Sequence, residues 1–291
     1  KITNTMVNTW IAIVVLGLIS FLGTRRATEI PSRLQGFLEI IIEFFLNLAE
    51  SVAGPKNARR FFPLVTTIFL FIVTSNWLGI LPGVGTIGWV ESPEEVQHHK
   101  EAALDDPHDL DPSSVNLQVF EGDGGLALLS LGSIDDAITL EEFEEHGVEE
   151  GKRAGILIPF FRSANTDINT PLSMAIIVMF MVHFWGLRSL GVLGHVGKFL
   201  NFKDGPIGLF VGILEAIGEV ARVISFTFRL FGNIFAGEVL LIAMAFLIPL
   251  VGLVPFLGLE LFVGLIQAFI FSMLTLVFAT SATIAHGGDD H

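Results

Sequence analysis

Residues Gly212–Leu241 read GILEAIGEVARVISFTFRLFGNIFAGEVLL, and this stretch decides what kind of molecule the chain is. Apolar residues dominate it, yet Glu215, Glu219, Arg222, Arg229, Asn233 and Glu238 interrupt it at intervals of three to seven. The surrounding helical pattern runs from Pro206 to about Leu247, far longer than an ordinary soluble helix. An arginine at mid-bilayer costs about 2.5–3.5 kcal/mol on insertion scales. Such a group persists where it meets water, a partner or a pathway.

At about 100° per residue, Arg222, Glu215, Ser225 and Asn233 all fall within about 40° of Arg229 on one helical face. Glu238, nine positions on, looks the opposite way. One fixed cation thus divides two polar environments. A guanidinium suits that place because it keeps its proton at accessible pH and is weakly hydrated. It can hold a passing carboxylate ionised without carrying the proton onward.

Working outward, the whole chain of 291 residues is 52% hydrophobic and 16% charged. Soluble domains average about 25% charged residues. The apolar residues fall in blocks of roughly 17–25, enough to cross about 30 Å of hydrocarbon. The net charge of −14 is unevenly spread: Glu91–Gly155 holds 18 acidic residues against three basic ones, and the remainder is nearly balanced. The chain has no cysteine, which removes disulfides and thiolate metal sites.

These patterns predict an all-α polytopic membrane protein with five crossings, an amphipathic surface helix and a long tilted C-terminal helical hairpin. Residues 1–90 hold a first span, about Val7–Gly23, then the amphipathic helix, about Ser32–Ala53, then a second span, about Phe61–Leu81. In the middle helix Glu39, Glu43, Asn47 and Glu50 make a polar stripe, which fits a helix at the membrane surface or a hairpin dipping into it. Residues 91–165 form an acidic extracytoplasmic loop or insertion, either a mostly irregular loop or a small appended subdomain, with a short helix around Leu140–Glu150. Residues 166–291 form the ion-translocating region: a third span from Pro171 to about Gly186, the long helix, a turn at Pro249–Pro255, and a last helix from about Phe256 to Ala285. The two final helices, about 42 and 30 residues, exceed a perpendicular crossing, so a strong tilt is expected. Basic residues after the first span, before the second and after the third mark the cytoplasmic side. The N-terminus is then outside, the polar tail His286–His291 inside, and the acidic segment outside.

Glu260 and Gln267, seven apart, share a face of the last helix, and the turn lets Glu260 approach Glu238. Two carboxylates close together in a low dielectric share protons. His183, within an apolar span, reads as a packing residue. His98, His99, His108 and His146 lie among acids without zinc spacing, so no metal is expected. No phosphate loop or nucleophile motif appears, so no cofactor, no catalytic residue and no nucleic-acid partner are expected. A secondary transporter would show internal repeats, and none is seen; a plain scaffold would leave Arg229 and Glu238 unexplained.

The run Arg229-Leu230-Phe231-Gly232-Asn233, then Ala236-Gly237-Glu238, with Gln267-Ala268-Phe269-Ile270-Phe271, resembles the signature of the F-type ATP synthase subunit a family. Asn76, Asp167, Asn169 and Glu215 also look like family positions, and the resemblance covers nearly all the chain outside the acidic segment. It implies the F0 proton-channel subunit, non-catalytic by itself, in the cell membrane of a bacterium. Its expected partners are the c-ring, the peripheral stalk subunit b, the rest of F1F0 and membrane lipid. Arg229 is implied to face the c-ring carboxylates. Glu238, Glu260, Asn233 and Gln267 are implied to line the outside half-channel, and Glu215 the cytoplasmic exit, a task Glu219 can share. Asn76, Asp167, Asn169 and Ser225 are further lining residues; Asn76, Asp167 and Asn169 suit helix caps equally well. Many relatives place a glutamate and a histidine where this chain has Glu238 and Glu260, and some carry an acid at the place of Gly79.

Overall fold

The computed structural model describes residues 3–25, 31–81, 83–102, 104, 110–121, 126–128, 137–199, 205–248 and 253–284. Among them, five helices are long and apolar enough to cross a bilayer. They are α1 (Asn4–Thr24), α2 (Arg33–Ile80), α5 (Asn169–Phe199), α6 (Gly205–Leu247) and α7 (Leu253–Thr283). The expected tail His286–His291 and the start of the turn at Pro249 lie outside the described residues. Pro255 falls inside the first turn of α7, so that helix begins three residues before the expected Phe256.

The chain divides into two compact units, one of residues 1–8, 78–163 and 237–260, the other of residues 9–77, 164–236 and 261–291. In the second unit α2 is two helices joined at Gly54, whose φ of 74° belongs to the left-handed region that favours glycine. Pro55 follows, without an N–H to continue the ladder. The segment before the break is a single helix and not itself a hairpin, and it packs back on the later part of α2, Phe45 on Phe69 with ring centroids 4.6 Å apart. Gly191 breaks α5 in the same way, with φ 74°.

The core of this unit is aromatic and aliphatic. Phe61 packs on Trp185 with ring centroids 4.6 Å apart, and Phe226 on Phe271 at 4.4 Å. Outside that core, large apolar side chains are left bare. Ile13, Val14, Leu18, Phe21 and Leu22 of α1 are each more than half exposed. A water-soluble surface rarely tolerates such a contiguous patch, whereas hydrocarbon does.

The acidic segment is a folded structure, which fits the appended-subdomain alternative and corrects that of a mostly irregular loop. Its strands are β1 (Ile87–Glu91), β2 (Asn116–Glu121), β3 (Leu126–Leu128), β4 (Ala137–Thr139) and β5 (Lys152–Pro159). They form one antiparallel sheet in the order β3-β1-β5-β2-β4. The central β5 pairs through Lys152–Gly155 with β2 and through Ile156–Pro159 with β1. Two short helices close it, α3 (Pro93–Glu101) and α4 (Leu140–His146), each with a capping box, Ser92 with Glu95 and Thr139 with Glu142. A small core of Val96, Val115, Leu117, Leu140 and Ala154 lies beneath. The expected short helix at Leu140 is α4. The strands escaped the sequence reading because most span three to six residues between runs of charge, and their partners are distant in the chain.

Candidate functional site

In the unit formed by residues 1–8, 78–163 and 237–260, Glu260 of α7 meets α6 at Gly237. Glu260 is 8% exposed. Its carboxylate lies against the backbone of Gly237, where any Cβ would collide with all three carboxylate atoms. Gly237 directly precedes Glu238 in the chain. Oε1 of Glu238 is 3.7 Å from Nε of Arg162, and its other oxygen is buried without a hydrogen-bond partner among the described residues. Asn8 fixes the Arg162 backbone by donating to its carbonyl at 3.0 Å, and Asn4 donates to the carbonyl of Pro159 at 3.2 Å.

Arg162 was not singled out from the sequence, although a signal was there. It is a cation before the third apolar span, at the end opposite to Arg188 and the basic residues that follow it. Gly79, where some relatives carry an acid, has no room for one. A Cβ there would stand 2.6 Å from the Ser163 hydroxyl and 3.3 Å from its Cα.

The other unit carries the arginine. Arg229 is exposed, and its Nη2 donates within its own helix to the Ser225 hydroxyl at 3.4 Å. Among the described residues of its unit, no carboxylate lies within ion-pair distance of it. Small residues share its helical face, Gly218, Ser225, Gly232 and Ala236, with Ser225 and Ala236 exposed, so the cation stands on an open face. Asn233 and Gln267 each bury an amide nitrogen with no acceptor among the described residues. Such a donor costs about 1–3 kcal/mol if left unpaired, so water or an incoming acceptor is called for at both. Glu215 is half-buried on α6. Glu219 is only 16% exposed in its side chain and pairs with Arg222 one turn on.

Asn76 takes a different role from Arg229. Its amide donates to the Gly264 carbonyl of α7 at 3.2 Å and its carbonyl accepts from Asn165 at 2.7 Å, with both asparagines fully enclosed. That is an internal clamp. Asp167 accepts from the backbone and side-chain amides of Asn169 at 3.0 and 2.9 Å, forming the turn that starts α5. Both fit the helix-end alternative. Asn165 is a second residue that sequence reading missed.

The family described as ATP synthase A chain matches residues 6–280. An ATP synthase subunit a from Gloeobacter violaceus is 29% identical over 99% of this chain and 86% of its own length. Those of Moorella thermoacetica and Desulforamulus reducens are 26% and 27% identical over 98% and 99% of the chain, and over 92% and 82% of their own lengths. A family match across nearly every residue, on a chain with five long apolar helices, leads to one conclusion: the chain belongs to the ATP synthase subunit a family, the multi-pass proton-channel component of the F0 sector, which works in complex with other ATP synthase subunits.

Proposed function

We propose that this chain passes protons to and from the carboxylates of a c-ring through two offset half-channels. A proton enters from outside at Glu238 and Glu260 and neutralises a ring carboxylate, which can then rotate through lipid. A ring carboxylate arriving from the other side releases its proton toward Glu215 and meets Arg229. Asn233 and Gln267 offer their buried amide donors to that carboxylate or to water. Asn76, Asp167 and Asn169 contribute to the outer side chiefly by fixing helix ends, and Ser225 by orienting the arginine.

The observation that carries this reading is the exposed guanidinium of Arg229, with no carboxylate partner among the described residues of its unit, on a helix face of small residues. A fixed cation there prevents a direct leak and keeps each passing acid ionised until it has crossed. Arg162 beside Glu238 adds a positive charge at the entry, favouring the ionised acid that accepts the next proton.

The same reading places the N-terminus outside and the C-terminus in the cytoplasm of a bacterial cell, with α6 and α7 strongly tilted. The peripheral stalk subunit b holds the chain still while the ring turns. ATP chemistry then belongs to other subunits, and the chain itself is not a catalyst. One charge crossing 100 mV is worth about 2.3 kcal/mol, so several crossings must be added to drive one synthesis.

Replacing Arg229 with alanine tests the reading. In inverted membrane vesicles, Arg229→Ala is expected to abolish ATP synthesis driven by an imposed proton gradient while the complex still assembles. Synthesis at the normal rate would overturn it.

A further inference from the structure

His183, His195 and Glu219 form a connected chain of titratable side chains inside the helical unit, and the path above uses neither histidine. Nδ1 of His183 lies 3.2 Å from Nε2 of His195. Its Nε2 lies 3.8 Å from Oε2 of Glu219. Both ring nitrogens of His183 are therefore turned toward titratable neighbours. Nη1 of Arg222 donates to Oε1 of Glu219, and its guanidinium lies 4.8 Å over the Phe278 ring.

The contact between the histidines is made by the fold. Twelve residues along an unbroken helix span about 18 Å, and only the break at Gly191 returns His195 to His183. Gly186 supplies the space, since a Cβ there would stand 2.7 Å from the His195 ring. His195 itself is 6% exposed, while Gly191, Gly194 and Gly197 on the same segment are exposed. The other elements bring few charges. From α7 come Phe278 and the Ala282 carbonyl; from α2 come Phe61 against Trp185 and Arg60, whose Nη1 is 3.5 Å from the Ser189 hydroxyl. Arg188 on α5 is exposed.

We propose that Glu219, His183 and His195 form a proton relay from α6 to the basic end of α5, a second branch of the exit route. The proposal rests on the function inferred above. Protonated Glu219 gives its proton to Nε2 of His183 and becomes a carboxylate. His183 gives up the proton on Nδ1 to Nε2 of His195, and His195, whose Nδ1 is buried where it stands, turns its ring toward the exposed segment at Gly194 and Gly197 before releasing its own Nδ1 proton to water. Each ring ends neutral with its proton on the other nitrogen, and ring rotation resets it. Arg222 stabilises the carboxylate left behind. The 3.8 Å step needs one bridging water or a small rotamer change.

The test is passive proton conduction through F0 in vesicles stripped of F1, measured against the pH on the cytoplasmic side. Conduction by the unaltered complex should change with pH between about 5 and 8, where imidazoles exchange protons. His183→Gln and His195→Gln should each slow conduction by about tenfold, less than a positioned proton carrier often contributes because the Glu215 branch remains. Both should flatten the pH dependence, and the double variant should be no slower than the slower single, since the two act in series. Normal rates with an unchanged pH profile would overturn the relay, and so would a slower rate whose pH profile is unchanged, which marks a structural role. If neither variant assembles, the unaltered complex decides: an inflection in that range supports the relay and a flat profile overturns it. Arg229→Ala in parallel vesicles that retain F1 separates the two ideas. Loss of synthesis there with silent histidine variants sinks the relay alone, whereas normal synthesis there sinks the parent reading.

Discussion

The segment Glu91–Gly155 and helix α6 both carry carboxylates, under opposite rules. The first has 18 acidic residues, most of them in water. Its Glu149 is 80% exposed and meets Lys152 at 2.9 Å, which holds the Glu149 carboxyl below the usual range. The second has three acids, and each is partly enclosed among apolar neighbours. Glu219 is held by Arg222, and Glu238 lies beside Arg162. Abundance therefore does not locate function here. What locates it is the cost of the charge, which is small in the sheet region and several kcal/mol in hydrocarbon.

That contrast can be broken or sharpened in steps of decreasing size. Beyond Arg229, the largest expected effect is at Glu238. Glu238→Gln should slow gradient-driven synthesis by roughly tenfold to a hundredfold, the scale of a lost proton carrier. Synthesis at the normal rate would remove Glu238 from the entry path and leave it as a polar packing residue.

Asn76→Ala is smaller and of a different kind. It should lower the thermal stability of the detergent-solubilised complex by about 1–3 kcal/mol, because Asn165 and the Gly264 carbonyl lose a buried partner. Conduction per assembled complex should be normal. Slow conduction with unaltered stability would move Asn76 from the clamp into the channel.

The smallest effect belongs to Glu149→Gln, which should leave both thermal unfolding and synthesis unchanged. The carboxyl is depressed, so whatever the Lys152 pair contributes is present above the ordinary carboxylate range. It fades as pH falls through the lowered value. A measurable loss of synthesis in this variant would mean that the acidic region acts on the channel after all.

Much of the helical plan was legible in the sequence because hydrocarbon imposes a simple rule. Every backbone polar group in it must be satisfied within its own helix, so long apolar runs such as Asn4–Thr24 have one outcome. The long helix was found within one residue of its start, at Gly205 rather than Pro206. The acidic segment had no such constraint. Its sheet depends on pairing between Trp89 and Ile158, and between Gln118 and Gly155, far apart in the chain. Strands of three to eight residues give little local periodicity to detect.

The candidate site divides along the same line. Arg229, Glu238 and Glu260 were found because an ionisable residue in an apolar run is conspicuous by itself. Arg162, Asn165 and His195 were not, since each matters through a neighbour. Arg162 needed Glu238, and Asn165 needed Asn76. His195 read as one more flanking cation until the turn at Gly191 brought it back to His183.

By itself, the order of residues determined that this chain lives in a bilayer, which segments cross it and which charges are too costly to be incidental, because those follow from transfer free energies along one chain. Only the tertiary structure decided which charges have partners. Whether a carboxylate meets an arginine, a histidine or nothing depends on glycine breaks and close helix approaches that bring distant residues within a few ångströms, and no local pattern encodes that distance.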